Sequence, residues 1–292
     1  MASNALLKSA SSLERAQLGE MIWLGRQGEV MGAAAMRRLR TRMWVRAGAL
    51  WGGIAVLYGW ILGPLGVAVA AGGFGMAVVW GSRRSRPYRA ALALMAEGRR
   101  DEAYEAFTDL SRRGATRQWR PVVELCLAQL EWMRGRHPEA LAGLDALLPR
   151  LRARPLEDGH LWLALFYRAG LLAVLGRLDE ARSVARELDD APRGEFFEMQ
   201  RQGLLLSLAF HADRPEDLPT DEVLYDWARA ALGRTRFGSV CVLCAWAFER
   251  RGDTEMAAHL LKEAPDRLTG SFLAETHPRL QAYLQARQSA GA

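Results

Sequence analysis

The longest uninterrupted apolar run of the chain extends from Ala47 to Gly81. Its thirty-five residues hold no charged side chain, whereas about 20 apolar residues are enough for a helix to span a bilayer. Gly63 and Pro64 stand at its middle, and proline disfavours helix at its own position and at the residue before it. The pattern therefore predicts two transmembrane helices joined by a tight turn, at about Met43–Leu62 and Leu65–Ser82.

Arginines crowd both ends of this run, and arginine-rich flanks are retained on the cytoplasmic side of a membrane. Two basic flanks therefore predict a transmembrane helical hairpin over residues 47–82, with both ends in the cytoplasm. A single span would normally have one basic flank, and a buried hairpin in a soluble core would usually keep a polar face; both stay as alternatives. The flanking residues are Arg42, Arg46, Arg83, Arg84 and Arg86.

The pattern before the apolar run is weaker. Ser12 is typical of a helix N-cap, and a loose apolar face continues from Leu13 into the basic run Arg37–Arg46. We expect residues 1–46 to be an amphipathic, basic helical segment that starts at about Ser12. Such a helix lies on the membrane or docks on the downstream domain, and a solvated helical leader is the alternative.

From residue 88 onward, apolar positions recur with a helical period that is interrupted by similar turns. Gly98, Gly135, Gly176 and Gly252 each end an apolar helix, and an alanine follows each of them five residues later. A degenerate copy begins at Ala212, so that successive copies are 36 to 41 residues apart. Glycine readily takes the left-handed conformation that ends a helix. Each copy is therefore predicted to be a helix–turn–helix unit.

The copies differ in how their second helices begin and end. An acidic residue near the start of the second helix suits the positive end of the helix dipole, and proline is expected to stop the helix. In the fourth copy Asp217 replaces the alanine, and Leu218–Asp221 is predicted to be an irregular loop before a helix at Glu222–Leu232. Residues 271–288 are predicted to be a final helix. The stopping prolines are Pro149, Pro192 and Pro265, and the outward side chains of the final helix are Arg279, Gln281, Gln285 and Arg287.

This arrangement resembles the tetratricopeptide repeat (TPR) over about residues 88–268. The matching features are the turn glycine, the alanine after it, a large apolar residue four positions further on and a closing proline. Copies longer than the family's roughly 34 residues, and Asp217 in the fourth copy, depart from that pattern. The resemblance implies an all-α fold, in which residues 88–292 form an α-solenoid of TPR-like repeats with a C-terminal capping helix.

In the TPR family the first helices line a concave surface that binds extended peptides or a partner helix. By the register of the copies the lining here is mostly apolar and aromatic, so the resemblance implies an apolar peptide or partner helix, or this chain's own N-terminal helix. Ordinary packing between repeats would put large side chains at the same positions, and this alternative stays open. The candidate groove residues are Leu125, Gln129, Trp132, Phe166, Leu206, Val242 and Trp246.

The net charge of +6 and the pI of about 9.6 suggest nucleic-acid binding, but the distribution of charge argues against it. Residues 1–46 hold eight Arg or Lys and three Glu, and residues 82–89 hold four Arg and no acid. Because the apolar run is uncharged, residues 90–292 carry a net charge of −3. The basic residues are therefore next to the predicted membrane segment, where they orient the spans and attract anionic lipid.

No motif for catalysis or for metal binding is evident, so neither enzymatic activity nor a cofactor is expected. The five histidines are scattered, and there is no phosphate-binding loop and no nucleophile elbow. Cys241 and Cys244 form a Cys-x-x-Cys pair, but they lie in the middle of a predicted helix, at positions where the repeat needs packing residues. We interpret the pair as core packing, and a redox or metal site as the alternative.

Together these features predict a non-enzymatic scaffold anchored in the membrane by the hairpin. Its repeat domain would face the cytoplasm and recruit protein partners through the candidate groove, with no nucleic acid or small-molecule substrate involved. The alternative is a subunit of a membrane secretion or transport complex, in which the hairpin packs against other membrane helices.

Overall fold

The computed structural model describes most residues from 86 onward, with gaps at 96, 114–119, 154–157, 192–193, 233–237, 269–272 and 291–292. Before residue 86 it describes residues 23–24, 30–31 and a scattered set between 41 and 73.

The described chain from residue 86 onward is helical apart from turns and short loops, which confirms the prediction of an all-α fold there. A 3₁₀ turn at Leu188–Asp190 extends one helix, and another at Pro215–Asp217 precedes a later one. The helices are α1 (86–95), α2 (Arg100–Arg112), α3 (Arg120–Met133), α4 (His137–Arg152), α5 (Asp158–Val174), α6 (Leu178–Glu187), α7 (Glu195–Ala212), α8 (Asp221–Leu232), α9 (Gly238–Arg250), α10 (Thr254–Arg267), α11 (Leu273–Thr276) and α12 (Pro278–Ala290).

Each of the five helix pairs from α1–α2 to α9–α10 is joined by the same backbone turn. The turn residue has a positive φ between 53° and 84°. Its N–H donates to the carbonyl three residues earlier, and the next N–H donates to the carbonyl five residues before it. These two bonds are the Schellman arrangement that ends a helix. The turn residues are Gly98, Gly135, Gly176, Asp213 and Gly252.

The fourth copy is offset by one residue from the prediction. Asp213, rather than Ala212, takes the left-handed conformation, with φ 53°; aspartate tolerates this region better than most residues do. Five residues after it comes Leu218, which is buried where the other copies bury alanine. The assignment of Asp217 to the alanine position was therefore wrong, and Asp217 is exposed in the 3₁₀ turn. The predicted loop and helix that follow are confirmed, with α8 starting one residue earlier at Asp221.

The prediction that prolines stop the second helices was wrong for two of them. Pro149 lies inside α4, which continues to Arg152, and Pro265 lies inside α10, which continues to Arg267. Both prolines are in the last turn, where the missing N–H costs a single hydrogen bond. Pro192 lies outside the described residues.

The helix pairs share a core that continues along the chain. One cluster of buried side chains joins α1 to α3, a second joins α3 to α7, and a third joins α7 to α12. In four of the five copies, a small buried residue seven positions before the turn residue lets the paired helices approach. In the remaining copy, the one with Asp213 at the turn, Leu206 takes this place. The four small residues are Ala91, Ala128, Ala169 and Ala245.

The predicted final helix is split in two at His277. Pro278 opens α12, since proline suits the first position of a helix, and it disfavours helix at the residue before it. Leu280 and Leu284 of α12 are buried against the third core cluster. Of the side chains predicted to face outward, Arg279, Gln285 and Arg287 are exposed and Gln281 is partly buried.

The segment before residue 86 differs from its prediction where it is described. Trp23–Leu24 pairs antiparallel with Val30–Met31, so these four residues are extended and the helix predicted across them was wrong there. Gly25 and Gly28 separate the two short strands in sequence, and glycine weakens a helix. The described residues of 41–46 are helical, and the rest of residues 1–46 lies outside the described set.

Much of the predicted hairpin also lies outside the described residues, including all of 61–71. Those that are described are helical, and Val45, Leu50, Val56 and Trp60 are exposed, by 65% to 89%. In the described parts of the chain, no helix combines the length and the apolar character that crossing a bilayer requires.

The turn geometry predicts that Gly176→Ala destabilises the fold. A Cβ there would meet no atom within 4 Å, so its cost is that of a left-handed L-residue, about 1–2 kcal/mol. Gly143→Ala is the control, because this glycine is inside α4 and its added Cβ would make an ordinary 3.6 Å contact with Ala128; it should gain about 0.5–1 kcal/mol. Thermal melting of the full chain followed by circular dichroism measures both, and equal melting temperatures would contradict the turn's role.

Candidate partner-binding surface

The candidate groove residues are distributed over four first helices, α3, α5, α7 and α9, and differ in burial. Gln129 and Trp132 are partly buried, whereas the others are buried. Phe166 stacks on Phe197, with ring centroids 5.8 Å apart, and Leu206 and Val242 are completely buried. These three side chains therefore pack within the core of the described structure. The buried candidates are Leu125, Phe166, Leu206, Val242 and Trp246.

Trp132, in the last turn of α3, has a position that depends on a glycine. Its indole packs edge-on against Tyr167 at 5.7 Å and lies over Gly170 of α5. A Cβ on Gly170 would come within 3.1 Å of the indole, which is closer than nearly all such contacts. The glycine therefore makes room for the indole between α3 and α5.

The indole N–H of Trp132 is bound by the C-terminal part of the chain. It donates to the carbonyl oxygen of Thr276 at 3.1 Å, and Nε2 of His137 lies 2.8 Å from the carbonyl oxygen of Glu275. Arg100 pairs with the carboxylate of Glu275 at 3.6 Å. Helix α11 therefore lies against the ends of the first two helix pairs, although about 140 to 175 residues separate the contacting positions in sequence.

Helix α12 continues this contact to the fourth and fifth helix pairs. Arg279 donates to the carbonyl oxygen of His211 at 2.7 Å, and its guanidinium lies 5.3 Å from the ring centre of Phe210. The ring of Tyr283 also meets Phe210, at 6.1 Å. The buried ring of Trp246 also packs edge-on against Phe210, at 5.4 Å.

Glu249, near the end of α9, receives two side chains from α12. The hydroxyl of Tyr283 donates to Oε2 at 2.6 Å, and Arg287 forms an ion pair with Oε1. Burial first, and then the hydrogen bond to this carboxylate, raise the pKa of Tyr283 above its usual range. Tyr283 therefore stays a neutral hydroxyl donor at physiological pH.

These contacts share one position in the repeat. Trp132, Phe210 and Glu249 each stand three residues before a turn residue, and His211 is the next residue after Phe210. We call these four residues the docking face and residues 273–290 the C-terminal segment. The sequence analysis identified Trp132 but missed Phe210 and Glu249. Taking Asp213 instead of Ala212 as the turn residue of the fourth copy would have put all three at the same position in the repeat.

Three histidines approach one another where the C-terminal segment crosses the repeats. The ring of His277 lies 5.5 Å from that of Trp132, and its Nδ1 is 3.0 Å from the hydroxyl oxygen of Thr276. Burial, followed by the nearby His211 and His137, lowers the pKa of His277 to about 3. Burial and the Arg279 guanidinium lower the pKa of His211 to about 4. Both rings are therefore held neutral.

The Cys-x-x-Cys pair does not contribute to this surface. Cys241 and Cys244 are buried thiols of α9. Burial, and to a lesser degree Cys241, raise the pKa of Cys244 far above its usual value, so thiolate chemistry is disfavoured. Among the residues described, no group of three or more His, Cys, Asp or Glu side chains is arranged to hold a metal ion.

Of the membrane-flanking arginines, Arg42, Arg46 and Arg86 are exposed helical residues, while Arg83 and Arg84 lie outside the described residues. Comparison with protein-family models, with curated proteins and with solved structures finds no match to this chain.

The histidines predict that the folded domain loses stability in mild acid. The pKa of an unfolded histidine is about 6.5, whereas burial lowers the pKa of His211 to about 4 and that of His277 to about 3. As the pH falls below 6.5 the unfolded chain takes up protons that the folded chain does not, so the free energy of unfolding decreases until the folded pKa values are reached. Thermal melting of the full chain at about pH 7.5 and about pH 5 measures the loss.

Substitutions of individual histidines test whether His211 and His277 cause this pH dependence. His211→Gln combined with His277→Gln should reduce it, while His259→Gln, at an exposed position of α10, should leave it unchanged. An unaltered dependence in the double variant would contradict the prediction. The other groups at this contact are Arg279 beside His211, His137 beside His277, and Arg100 with Glu275.

Proposed function

We propose that this protein is a membrane-anchored adaptor built of TPR-like helix pairs, which recruits a protein partner at the cytoplasmic face of the membrane. The observation that carries the proposal is that Trp132, Phe210 and Glu249 occupy the same repeat position in the second, fourth and fifth helix pairs. Aromatic side chains dominate the binding energy of many protein interfaces. Two aromatic rings and one carboxylate at a shared repeat position suit recognition of a helix better than they suit chemistry on a small molecule.

Two features support the membrane anchor. The residues from 47 to 81 are uncharged and are flanked by arginines, and the large side chains described there do not pack on the repeats. Val56 and Trp60 are 75% and 89% exposed, and apolar surface of this kind is typical of contact with a membrane or with a protein. Anchoring raises the local concentration of whatever the repeats capture.

The anchor is tested by membrane fractionation of cells that express the full chain. The double substitution Leu50→Arg with Val56→Arg should release the protein from the carbonate-washed membrane pellet, since an arginine at the centre of a span costs roughly 2.5–3.5 kcal/mol. Val223→Arg, on the exposed surface of α8, is the control and should stay in the pellet. Retention of the double variant would contradict the anchor.

The topology is tested with a membrane-impermeant maleimide on intact cells. Cysteines engineered at Arg42 and Ala90, which are both exposed, should react only after the cells are lysed. Labelling of either site from outside would contradict a cytoplasmic repeat domain. The native cysteines are buried and give little background.

The alternative function is a subunit of a membrane secretion or transport complex. The same exposed apolar side chains could pack against the helices of a multi-spanning partner instead of lipid. Size measurement in mild detergent separates the two functions. A monomer supports the adaptor, and one defined large assembly supports the complex subunit.

A further inference from the structure

The C-terminal segment follows the five helix pairs and lacks the left-handed turn that joins the helices of each pair. Of the three core clusters in the described structure, those joining α1 to α3 and α3 to α7 contain no residue of the segment. Leu273, Leu280 and Leu284 join only the third cluster. The first three helix pairs thus bury their side chains without the segment, whereas the fourth and fifth pairs share their core with its leucines.

The docking face would offer a defined chemistry if the segment left it. Trp132 would lose the acceptor of its indole N–H, Phe210 the ring and guanidinium packed against it, and Glu249 a hydroxyl donor and an arginine. A carboxylate and an indole N–H that are partly buried need polar partners. Any occupant of this face must therefore combine apolar side chains with a cation and a backbone acceptor.

The C-terminal segment shows what such an occupant looks like. Leu280, Tyr283, Leu284 and Arg287 follow the spacing i, i+3, i+4 and i+7, which puts them on one face of a helix. The two leucines are buried, and the tyrosine and arginine both reach Glu249. Helices that bind in the grooves of other proteins use this spacing.

We propose that the docking face is the partner-binding site of the adaptor and that the C-terminal segment is a built-in competitor for it. The partner is then an amphipathic helix with two leucines four residues apart and an arginine three residues after the second. This inference rests on the proposed adaptor function. Because the competitor is tethered, its effective concentration is high. The apparent affinity for a partner is the intrinsic affinity multiplied by the fraction of time that the face is uncovered.

The first test is hydrogen exchange of the unaltered full chain in mild detergent, read by mass spectrometry. The backbone amides of residues 280–284, which include both buried leucines, should exchange when the C-terminal segment detaches locally. The amides of α9 (238–250) should stay protected during that opening. Exchange of both stretches only through one common unfolding event would overturn the proposal.

The second test adds the segment as a separate peptide. A fluorescent peptide of residues 271–290 is titrated into the full chain and into its Arg287→Glu variant, in which the tethered segment is repelled by Glu249. Anisotropy should report binding about tenfold tighter to the variant. A peptide with Leu280→Asp and Leu284→Asp is the matched control and should not bind.

A charge reversal makes the site specific. The Glu249→Arg chain should bind a peptide that carries Arg287→Glu and should reject the unaltered peptide. Circular dichroism checks that each variant keeps its helix content. Failure of the peptides to bind either folded variant, or loss of the fold in both variants, would overturn the proposal, because the segment would then be an integral part of the fold.

The two proposals fail in distinguishable ways. Suppose that the hydrogen-exchange and peptide-binding tests give the expected results. If neither the Arg287→Glu chain nor the unaltered chain then captures a protein from detergent-solubilised membranes, the adaptor function is wrong. If both chains capture the same protein equally well, the adaptor stands and the competitor role is wrong. Capture that is stronger with the Arg287→Glu chain supports both proposals.

Discussion

The left-handed turn between paired helices is the constraint on which the rest of this structure depends. Its two backbone hydrogen bonds end the first helix of each pair, and in the four glycine copies the second helix begins two residues after the turn residue. The turn thereby sets which residues meet: the small residue seven positions before it and the alanine five positions after it are both buried in most copies. Where the turn residue is not glycine, aspartate takes its place and a leucine replaces the alanine. The backbone geometry is thus kept while the side chains that pack on it vary.

The same register aligns side chains that lie far apart in sequence. Trp132, Phe210 and Glu249 share a position in the repeat, and the C-terminal segment touches each of them. Pro278 divides the segment into two helices, which lets α11 reach the second helix pair while α12 lies against the fourth and fifth. A surface of this kind is extended and is already in contact with a helix, so under the proposed function a captured partner would use the same contacts as the segment.

The contacts of the segment differ in strength. The ion pair of Arg287 with the partly buried Glu249 contributes at most about 1 kcal/mol. Reversing the charge of Arg287 replaces this attraction by a repulsion of similar size. Burial of Leu280 and Leu284 supplies more, and the neutral histidines at the crossing oppose the contact only when they gain a proton. An apolar contact with polar bonds at its edges is well suited to exchange between a tethered helix and a helix of similar pattern.

The helix pairs, their turns and the helical class could be predicted from the sequence, because glycine at a helix end and the 3.6-residue period of apolar positions are local properties. The register of the fourth copy could not, since Asp213 takes a conformation for which aspartate is only a tolerated residue. The sequence also supplied Trp132 as a candidate, but it did not distinguish a side chain that meets the C-terminal segment from one, such as Phe166, that packs inside the core. Only the tertiary structure decided what covers the docking face. The hydrogen bond of Trp132 to Thr276 and the ring contact of Phe210 with Tyr283 join positions whose separation along the chain leaves no local pattern.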